Sequence, residues 1–260
     1  LRALRLFASE RSAGRMLAFR GGGVPVEVLT EDALAGVDLA LFSAGSGASR
    51  RFTPAAVRHG AIVVDNSSAF RMDEAVPLVV PEVNAAAIAG HQGILAVPNC
   101  VAIIAAVPLW PLQQAIGIER VIAATYQAAS GGGAAAMAEL RVSTGAYLAG
   151  RAFTPTVLRH PYAFNLFSHD TAVDPETGSN DEETKVAREL RKIMRRPDLR
   201  VGVTCVRVPV LRAHCIALSV ELAEPASPAV VREILAGAPG VRIVDDVERN
   251  HFPMPHEASG

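Results

Sequence analysis

A chain of 260 residues with a 50% hydrophobic, 5% aromatic composition is large enough to bury one or two cores, and its richness in small aliphatic residues fits a soluble α/β enzyme. Its 25 basic and 26 acidic residues leave a formal net charge of −1, which supplies no general field for nucleic acid or an anionic membrane and argues against a polyanionic partner. Three cysteines at irregular spacing, Cys100, Cys205 and Cys215, make neither a disulfide framework nor a metal pattern, so free thiols, a cytoplasmic setting and no metal site are expected.

Leu4 to Ser9 reads as a short strand that ends in the polar cluster Ser9-Glu10-Arg11-Ser12-Ala13-Gly14. At the end of the second strand of a doubly wound nucleotide-binding sheet, an acidic residue favours a free ribose 2′-hydroxyl and an arginine accommodates a 2′-phosphate. Arg11, with the hydroxyls of Ser9 and Ser12, therefore points to NADP; Glu10 blurs the assignment, and a plain solvated turn competes with it. Val24 to Leu29 alternates like an edge strand, and Val37 to Phe42 is a buried-strand run ending in Ser43-Ala44-Gly45-Ser46-Gly47. Small residues at the carboxyl end of a strand let backbone approach a ligand in the crevice where open α/β sheets bind cofactors. Thr53 to Arg58 reads as a helix, and Ala61 to Val64 as a strand ending in Asp65-Asn66-Ser67-Ser68-Ala69-Phe70-Arg71. Strand, glycine turn, helix and strand in that order make a parallel sheet the economical architecture. No G-x-G-x-x-G opens this sheet, and the chain starts at Leu1 already in a strand pattern, so a first strand and its glycine loop are expected just upstream.

A strand from Gly93 leads into Val97-Pro98-Asn99-Cys100 and the apolar run Val101 to Val107. Pro-Asn before such a run predicts a turn feeding a helix, with Cys100 at or within one turn of its N-terminus. Free backbone N–H groups and the positive end of the macrodipole favour a thiolate there, the form that attacks carbonyls; a buried structural cysteine is the alternative. The run on to Leu112 contains Pro108 and Pro111 and is too short to span a bilayer. Val121 to Gln127 is a further strand, followed by Ala128-Ala129-Ser130-Gly131-Gly132-Gly133 and a helix from Ala134 to Leu148. Asp170 to Glu183 reads as an exposed loop and Asp181 to Met194 as an amphipathic helix with an acidic first turn. Val201 to Val210 and His214 to Leu222 read as a hairpin around Leu211-Arg212-Ala213.

Taken in order, the cluster from Ala8 to Gly14, Phe42-Ser43-Ala44-Gly45, Asp65 to Met72, Val97-Pro98-Asn99-Cys100, Thr125-Tyr126-Gln127-Ala128-Ala129-Ser130-Gly131, and Cys205-Val206-Arg207-Val208-Pro209-Val210 with His214 resemble the aspartate-semialdehyde dehydrogenase family over essentially the whole chain. The resemblance implies a Rossmann-like doubly wound NADP-binding domain over 1–98 and an α+β catalytic and dimerisation domain with a mixed sheet over 99–260, each lacking part of its family length. It implies reductive dephosphorylation of L-aspartyl 4-phosphate to L-aspartate 4-semialdehyde and phosphate, in lysine, methionine and threonine biosynthesis, by a homodimer or homotetramer. In that scheme Cys100 carries the acyl group as a thioester, His214 is the general acid/base, and Gln127 positions the intermediate. Arg207, on the facing arm of the hairpin, takes the α-carboxylate; Arg71 holds the phosphate, Asn99 contacts substrate or phosphate, Glu182 faces the amino group and Lys185 the phosphate. Ser9, Arg11, Ser12, Ser43, Ala44, Gly45, Ser130 and Gly131 fall at cofactor positions. The bland readings are a strand-end histidine facing water for His214 and a solvated i, i+3 helix pair for Glu182 and Lys185.

Two departures stand beside the nucleophile. The family writes Asn-Pro-Asn-Cys followed by Ser or Thr, where this chain has Val97 and Val101, removing two hydrogen-bonding side chains. His251-Phe252-Pro253-Met254-Pro255 resembles the lead-in to the family's last strands and a returning helix that closes the cofactor site, so this piece alone is expected to be incomplete. A malonyl-CoA reductase-like enzyme would share Cys100, Gln127 and His214 but not the need for Glu182, whereas a non-catalytic paralogue would be expected to lose the nucleophile or the base.

Overall fold

The computed structural model describes residues 3–259, which divide into two compact units: one runs from the start of the chain to Val79 and includes Asn84–Pro98, the other comprises Val80–Val83 and the chain from Asn99 onward. In the first unit, β1 (Leu6–Ala8) is followed by a 3₁₀ turn (Glu10–Ser12), β2 (Met16–Phe19) and β3 (Gly22–Val28). β3 runs parallel to β1 and antiparallel to β2, so it is the middle strand of its sheet and not the edge its alternation suggested. Alternation reports one buried face; it carries no information about the number of neighbours. β2 escapes sequence reasoning because it is only four residues long and its apolar run Met16-Leu17-Ala18-Phe19 is exposed throughout, with no alternation to mark a buried face. It forms because Phe19 and Gly22 pair across Arg20-Gly21, both at positive φ (49° and 80°), the two-residue turn whose twist matches a hairpin.

The same unit holds β4 (Leu39–Phe42), α1 (Ser46–Arg58), β5 (Ile62–Asp65) and β6 (Ile94–Ala96), with the three strands in that order and all parallel, while the one-turn helix α2 (Pro81–Asn84) between β5 and β6 belongs to the second unit except for Asn84. α1 begins at Ser46, seven residues before the expected start at Thr53. Gly45, at φ 86°, turns the chain directly from the end of β4 into the helix. Pro54 inside a helix costs about 3 kcal/mol. Burial of Phe52, Ala55 and Ala56 in one core with Leu34, Phe42 and Val63 offsets it and keeps the turns on both sides of Pro54 in one helix. At the end of β5 the buried Asp65 accepts from Ser49 Oγ (2.8 Å), Ser67 N (3.0 Å) and Ser67 Oγ (2.8 Å), tying the helix to the loop after the strand.

The second unit contains α3 (Cys100–Ala115), β7 (Ile118–Gln127), α4 (Gly133–Leu148), β8 (Phe167–Ser168), α5 (Asp181–Ile193), β9 (Arg200–Arg207), β10 (Cys215–Leu222) and α6 (Pro228–Ala236). Its sheet has the order β10-β7-β9-β8, with β7 parallel to β9 and the other pairs antiparallel, the mixed sheet expected. β9 and β10 are not a hairpin: β7 lies between them. The connection instead crosses the end of β7, where its backbone is satisfied by the segment that follows that strand, Val208 N donating to Gln127 O, Ala129 N to Val210 O and Ser130 N to Leu211 O. The register sets Gln127 opposite Arg207 and Tyr126 opposite Cys215, so the carboxyl ends of β7 and β9 meet the amino end of β10. α5 opens with a capping box between Asn180 and Glu183, and Glu183 Oε1 accepts from Cys205 N (2.9 Å), fixing the helix against β9. Among the described residues no helix is long and apolar enough to cross a membrane.

Candidate active site

Cys100 is the first residue of α3 and its side chain is exposed, as the Pro-Asn signal predicts. Asn99 is the N-cap: its Oδ1 accepts from Val101 N (2.8 Å) and Ala102 N (3.4 Å). The rest of Asn99 is held from α5, its Nδ2 donating to Glu182 Oε1 (2.9 Å) and its backbone N to Glu189 Oε2 (2.6 Å). Glu182 Oε1 also receives Gln127 Nε2 (3.1 Å), and Gln127 Oε1 accepts from Thr125 Oγ1 (3.1 Å). Gln127, 1% exposed, is thus committed at both ends of its amide, and it connects the cap of α3 to the end of β7.

The next residue carries the chain of contacts on. Ala128 N donates to His214 Nδ1 (2.9 Å), and Ala128 O accepts from Arg207 Nη1 (3.3 Å). Gly131 has room for both groups only because it lacks a side chain: a Cβ there would lie 2.9 Å from His214 Nε2 and 3.0 Å from Arg207 Nη1. The two side chains therefore converge on one small space. Burial, reinforced by the nearby Arg207 charge, holds His214 below the ordinary imidazole range, so the ring is neutral at pH 7. A neutral ring that accepts at Nδ1 carries its proton on Nε2, beside Gly131. The cysteines separate cleanly: Cys205 is 0% exposed and burial pushes its thiol up to about 12, Cys215 is half-buried and also raised by burial, and Cys100 is open.

Of the other expected site residues, Arg71 is buried in the first unit, with Nε donating to Val97 O (2.8 Å) and Nη2 to Asn66 O (3.2 Å). The two valines thus leave the local backbone bonds intact: Val97 serves through its carbonyl, and the N–H of Val101 is capped while its side chain is buried. Glu182 is buried and not part of a solvated pair; Lys185, one turn later, is half-buried. In the first unit, Ser9 and Ser12 flank the exposed Arg11 on the turn after β1, and Arg11 makes no ion pair among the described residues. Ser43, Ala44 and Gly45 form the turn between β4 and α1, whose first turn carries no acidic residue. An exposed arginine between hydroxyls and a helix start free of carboxylates suit the phosphates of a dinucleotide. Ser130 and Gly131 belong to the second unit, beside His214.

Sequence reasoning missed four groups here. Glu189 sits on the buried face of α5, seven residues after Glu182, where the apolar pattern alone marked the helix. His169 and Asp170 directly follow a two-residue strand too short for any periodicity, and Tyr162, which donates from its hydroxyl to Gln127 O (3.3 Å), packs on that strand's Phe167.

Residues 1–91 match the family described as the NAD binding domain of semialdehyde dehydrogenase, and residues 109–260 match its dimerisation domain. The chain is 46% identical over 262 residues to the aspartate-semialdehyde dehydrogenase of Synechocystis sp., covering 100% of this chain and 77% of that protein, and 43% identical over 260 residues to that of Prochlorococcus marinus, covering 100% and 76%. A crystal structure of aspartate semialdehyde dehydrogenase II from Vibrio cholerae, complexed with ASA, superposes with a TM-score of 0.92 at 38% identity, over 96% of this chain and 74% of that one. Matching both domains of a semialdehyde dehydrogenase and aligning over its whole length with aspartate-semialdehyde dehydrogenases at up to 46% identity, this chain belongs to the aspartate-semialdehyde dehydrogenase family.

Proposed function

We propose that this protein interconverts L-aspartyl 4-phosphate and L-aspartate 4-semialdehyde with NADP and phosphate, through a thioester on Cys100, as a step of lysine, methionine and threonine biosynthesis in the cytoplasm. The observation that carries the reading is the continuous set of hydrogen bonds from Asn99, beside the exposed Cys100, through Glu182 and Gln127 to the strand end that presents His214 and Arg207. The Cys100 thiolate attacks the acyl carbon of the acyl phosphate, the C–O bond to phosphate breaks, and phosphate leaves with the electron pair. The coenzyme, when bound, supplies the hydride that reduces the thioester carbon. The resulting tetrahedral oxyanion collapses, re-forming C=O as the C–S bond breaks, which releases the aldehyde and returns the thiolate.

His214 serves these steps from Nε2, whose N–H donates to the oxygen on which charge develops; neutral histidine acting as an electrophile has good precedent in carbonyl chemistry. Arg207 offers its fork to the α-carboxylate. Glu182 Oε2 accepts no hydrogen bond among the described residues and is the acceptor for the α-ammonium, a counter-charge that a malonyl-CoA reductase would not need. Arg71, Asn99 and Lys185 serve the phosphate, and Gln127 acts by holding Glu182. Arg11, Ser9 and Ser12 hold the 2′-phosphate of NADP, and Ser43, Ala44, Gly45, Ser130 and Gly131 are the small residues set against the coenzyme. The matched dimerisation domain supports a homodimer or a pair of dimers.

The direct test is phosphate-dependent NADP reduction with L-aspartate 4-semialdehyde, with malonyl-CoA and NADPH as the counter-assay; turnover of malonyl-CoA alone would reverse the assignment. Arg11→Ala should raise KM for NADP by about 10-fold or more and leave KM for NAD nearly unchanged, as expected for loss of one charged hydrogen-bond donor to phosphate. Equal changes would remove Arg11 from the site. Gly131→Ala should lower kcat/KM by about 100-fold with an unchanged melting temperature, because the added methyl displaces His214 and Arg207 together from an exposed backbone position. An Ala variant of normal activity would place the reacting centre elsewhere.

A further inference from the structure

We propose that His169 is the positioning residue of Arg207: its imidazole accepts from the arginine fork and aims it at the substrate α-carboxylate without adding a negative charge that would compete for it. The inference rests on the carboxylate-binding role given to Arg207 above. His169 follows directly on β8, and its backbone N donates to Cys205 O (2.9 Å), so the main chain is fixed against β9, two residues from Arg207. Its Nε2 lies 2.9 Å from Arg207 Nη2. Because a guanidinium can only donate, Nε2 must be the unprotonated nitrogen and the ring proton sits on Nδ1. That Nδ1 is buried and finds no hydrogen-bond partner among the described residues, so the tautomer is set by Arg207 and by nothing on the other side of the ring.

The surroundings of Arg207 give this contact its meaning. The side chain is 5% exposed, and an arginine so buried ordinarily pairs with a carboxylate fork to fork. Here its side-chain hydrogen bonds go to a neutral carbonyl, Ala128 O, and a neutral ring, His169. Its Nε has no hydrogen-bond partner among the described residues, and its ion pair with Asp170 Oδ1 is a long one, at 4.0 Å. Neutral acceptors orient the fork and leave its charge available. A protonated His169 would do the reverse, setting an N–H and a second positive charge against Arg207. The charged and titratable groups around the ring are Arg207, Glu182, Asp170 and Lys185, with His214 in the same field. Burial, with Arg207 next, outweighs the two carboxylates and keeps His169 below the ordinary imidazole range.

The experiment compares three variants of the full chain in the semialdehyde, NADP and phosphate assay. His169→Gln, whose amide oxygen reaches to about where Nε2 lies, should keep KM for L-aspartate 4-semialdehyde within about 3-fold of wild type, because it retains an acceptor for the charged donor. His169→Leu should raise that KM by about 10- to 100-fold with kcat changed by less than about 3-fold, as for a lost hydrogen bond to a charged group. His169→Glu should raise it further, since its carboxylate captures the fork. KM for NADP should not move in any of them. In the wild type, KM for the semialdehyde should climb as pH falls below the ordinary imidazole range, and that climb should be reduced in His169→Gln. A Leu variant with wild-type KM, Gln and Leu variants impaired alike, or an unchanged pH dependence in His169→Gln would overturn the inference. If the Leu variant does not fold, the pH comparison between wild type and His169→Gln decides, along with the ¹⁵N spectrum of the wild-type ring, where a protonated Nε2 near neutral pH would also overturn it. A wild type inactive on the semialdehyde would instead remove the proposed function.

Discussion

Cys100→Ala should abolish turnover, lowering kcat by about 10⁴- to 10⁶-fold as removal of a covalent nucleophile does. The expectation follows from position. Cys100 occupies the first residue of a 16-residue helix, where the positive end of the macrodipole stabilises negative charge on Sγ. Asn99 makes that helix start rigid, since its side chain caps the next turn while α5 holds it from Glu182 and Glu189. Neither of the other thiols can substitute: Cys205 is sealed with its thiol pushed up to about 12 by burial, and Cys215 is also raised by burial. Because Cys100 is exposed, the Ala variant should melt within about 2 °C of wild type, so the loss is chemical and not structural. With semialdehyde and NADP but no phosphate, the wild-type thioester has no phosphate acceptor and should accumulate, so mass spectrometry should find the aspartyl adduct on the peptide bearing Cys100. An adduct on Cys205 or Cys215, with none on Cys100, would overturn the mechanism.

How far the sequence discloses this site depends on the range of each signal. Cys100 is legible as a helix-start thiol because its environment is local: a Pro-Asn pair and an apolar run are enough to predict a capped helix start, and the cap that forms uses Asn99 itself. Arg207 and His214 were legible as residues but misplaced as partners. Two strands joined by a short loop read as a hairpin, yet each pairs with β7, and that long-range choice is made by burial across the whole sheet. Glu182 and Glu189 illustrate a different limit. Two carboxylates on the inner face of an amphipathic helix look like interruptions of the apolar stripe until the donors arriving from Asn99 and Gln127 are seen. His169 gave no signal at all, because β8 is two residues long and the contact with Arg207 spans 38 positions. In the first unit the glycine turn at Gly45 is evident from sequence, but the pattern behind it predicts a helix seven residues too short, since Pro54 looks like a start when it is an interior residue held by packing.

His214→Asn should lower kcat by about 10²- to 10³-fold, the cost of removing one donor to a developing oxyanion. The choice of replacement tests how the histidine acts. With Nδ1 accepting from Ala128 N, the neutral ring keeps its proton on Nε2 and is a donor, so the general base expected from the sequence would first need that hydrogen bond broken. Protonation of Nδ1 would also set two donors against each other, in a ring that burial and Arg207 already hold below the ordinary imidazole range. Glutamine places an amide N–H at about the position of Nε2, whereas asparagine ends near Nδ1. His214→Gln should therefore recover about 10-fold or more of the activity lost in His214→Asn, since it restores a donor at the right place. The pH dependence has a definite sign: the working form is neutral, so the limb of kcat controlled by His214 should lie on the acid side, activity falling as pH drops below the ordinary imidazole range and not as pH rises above it. His214→Gln has no such group and should lose that limb. Equal activities for the Gln and Asn variants, or a limb on the alkaline side that vanishes in both, would return His214 to proton transfer and displace the donor mechanism.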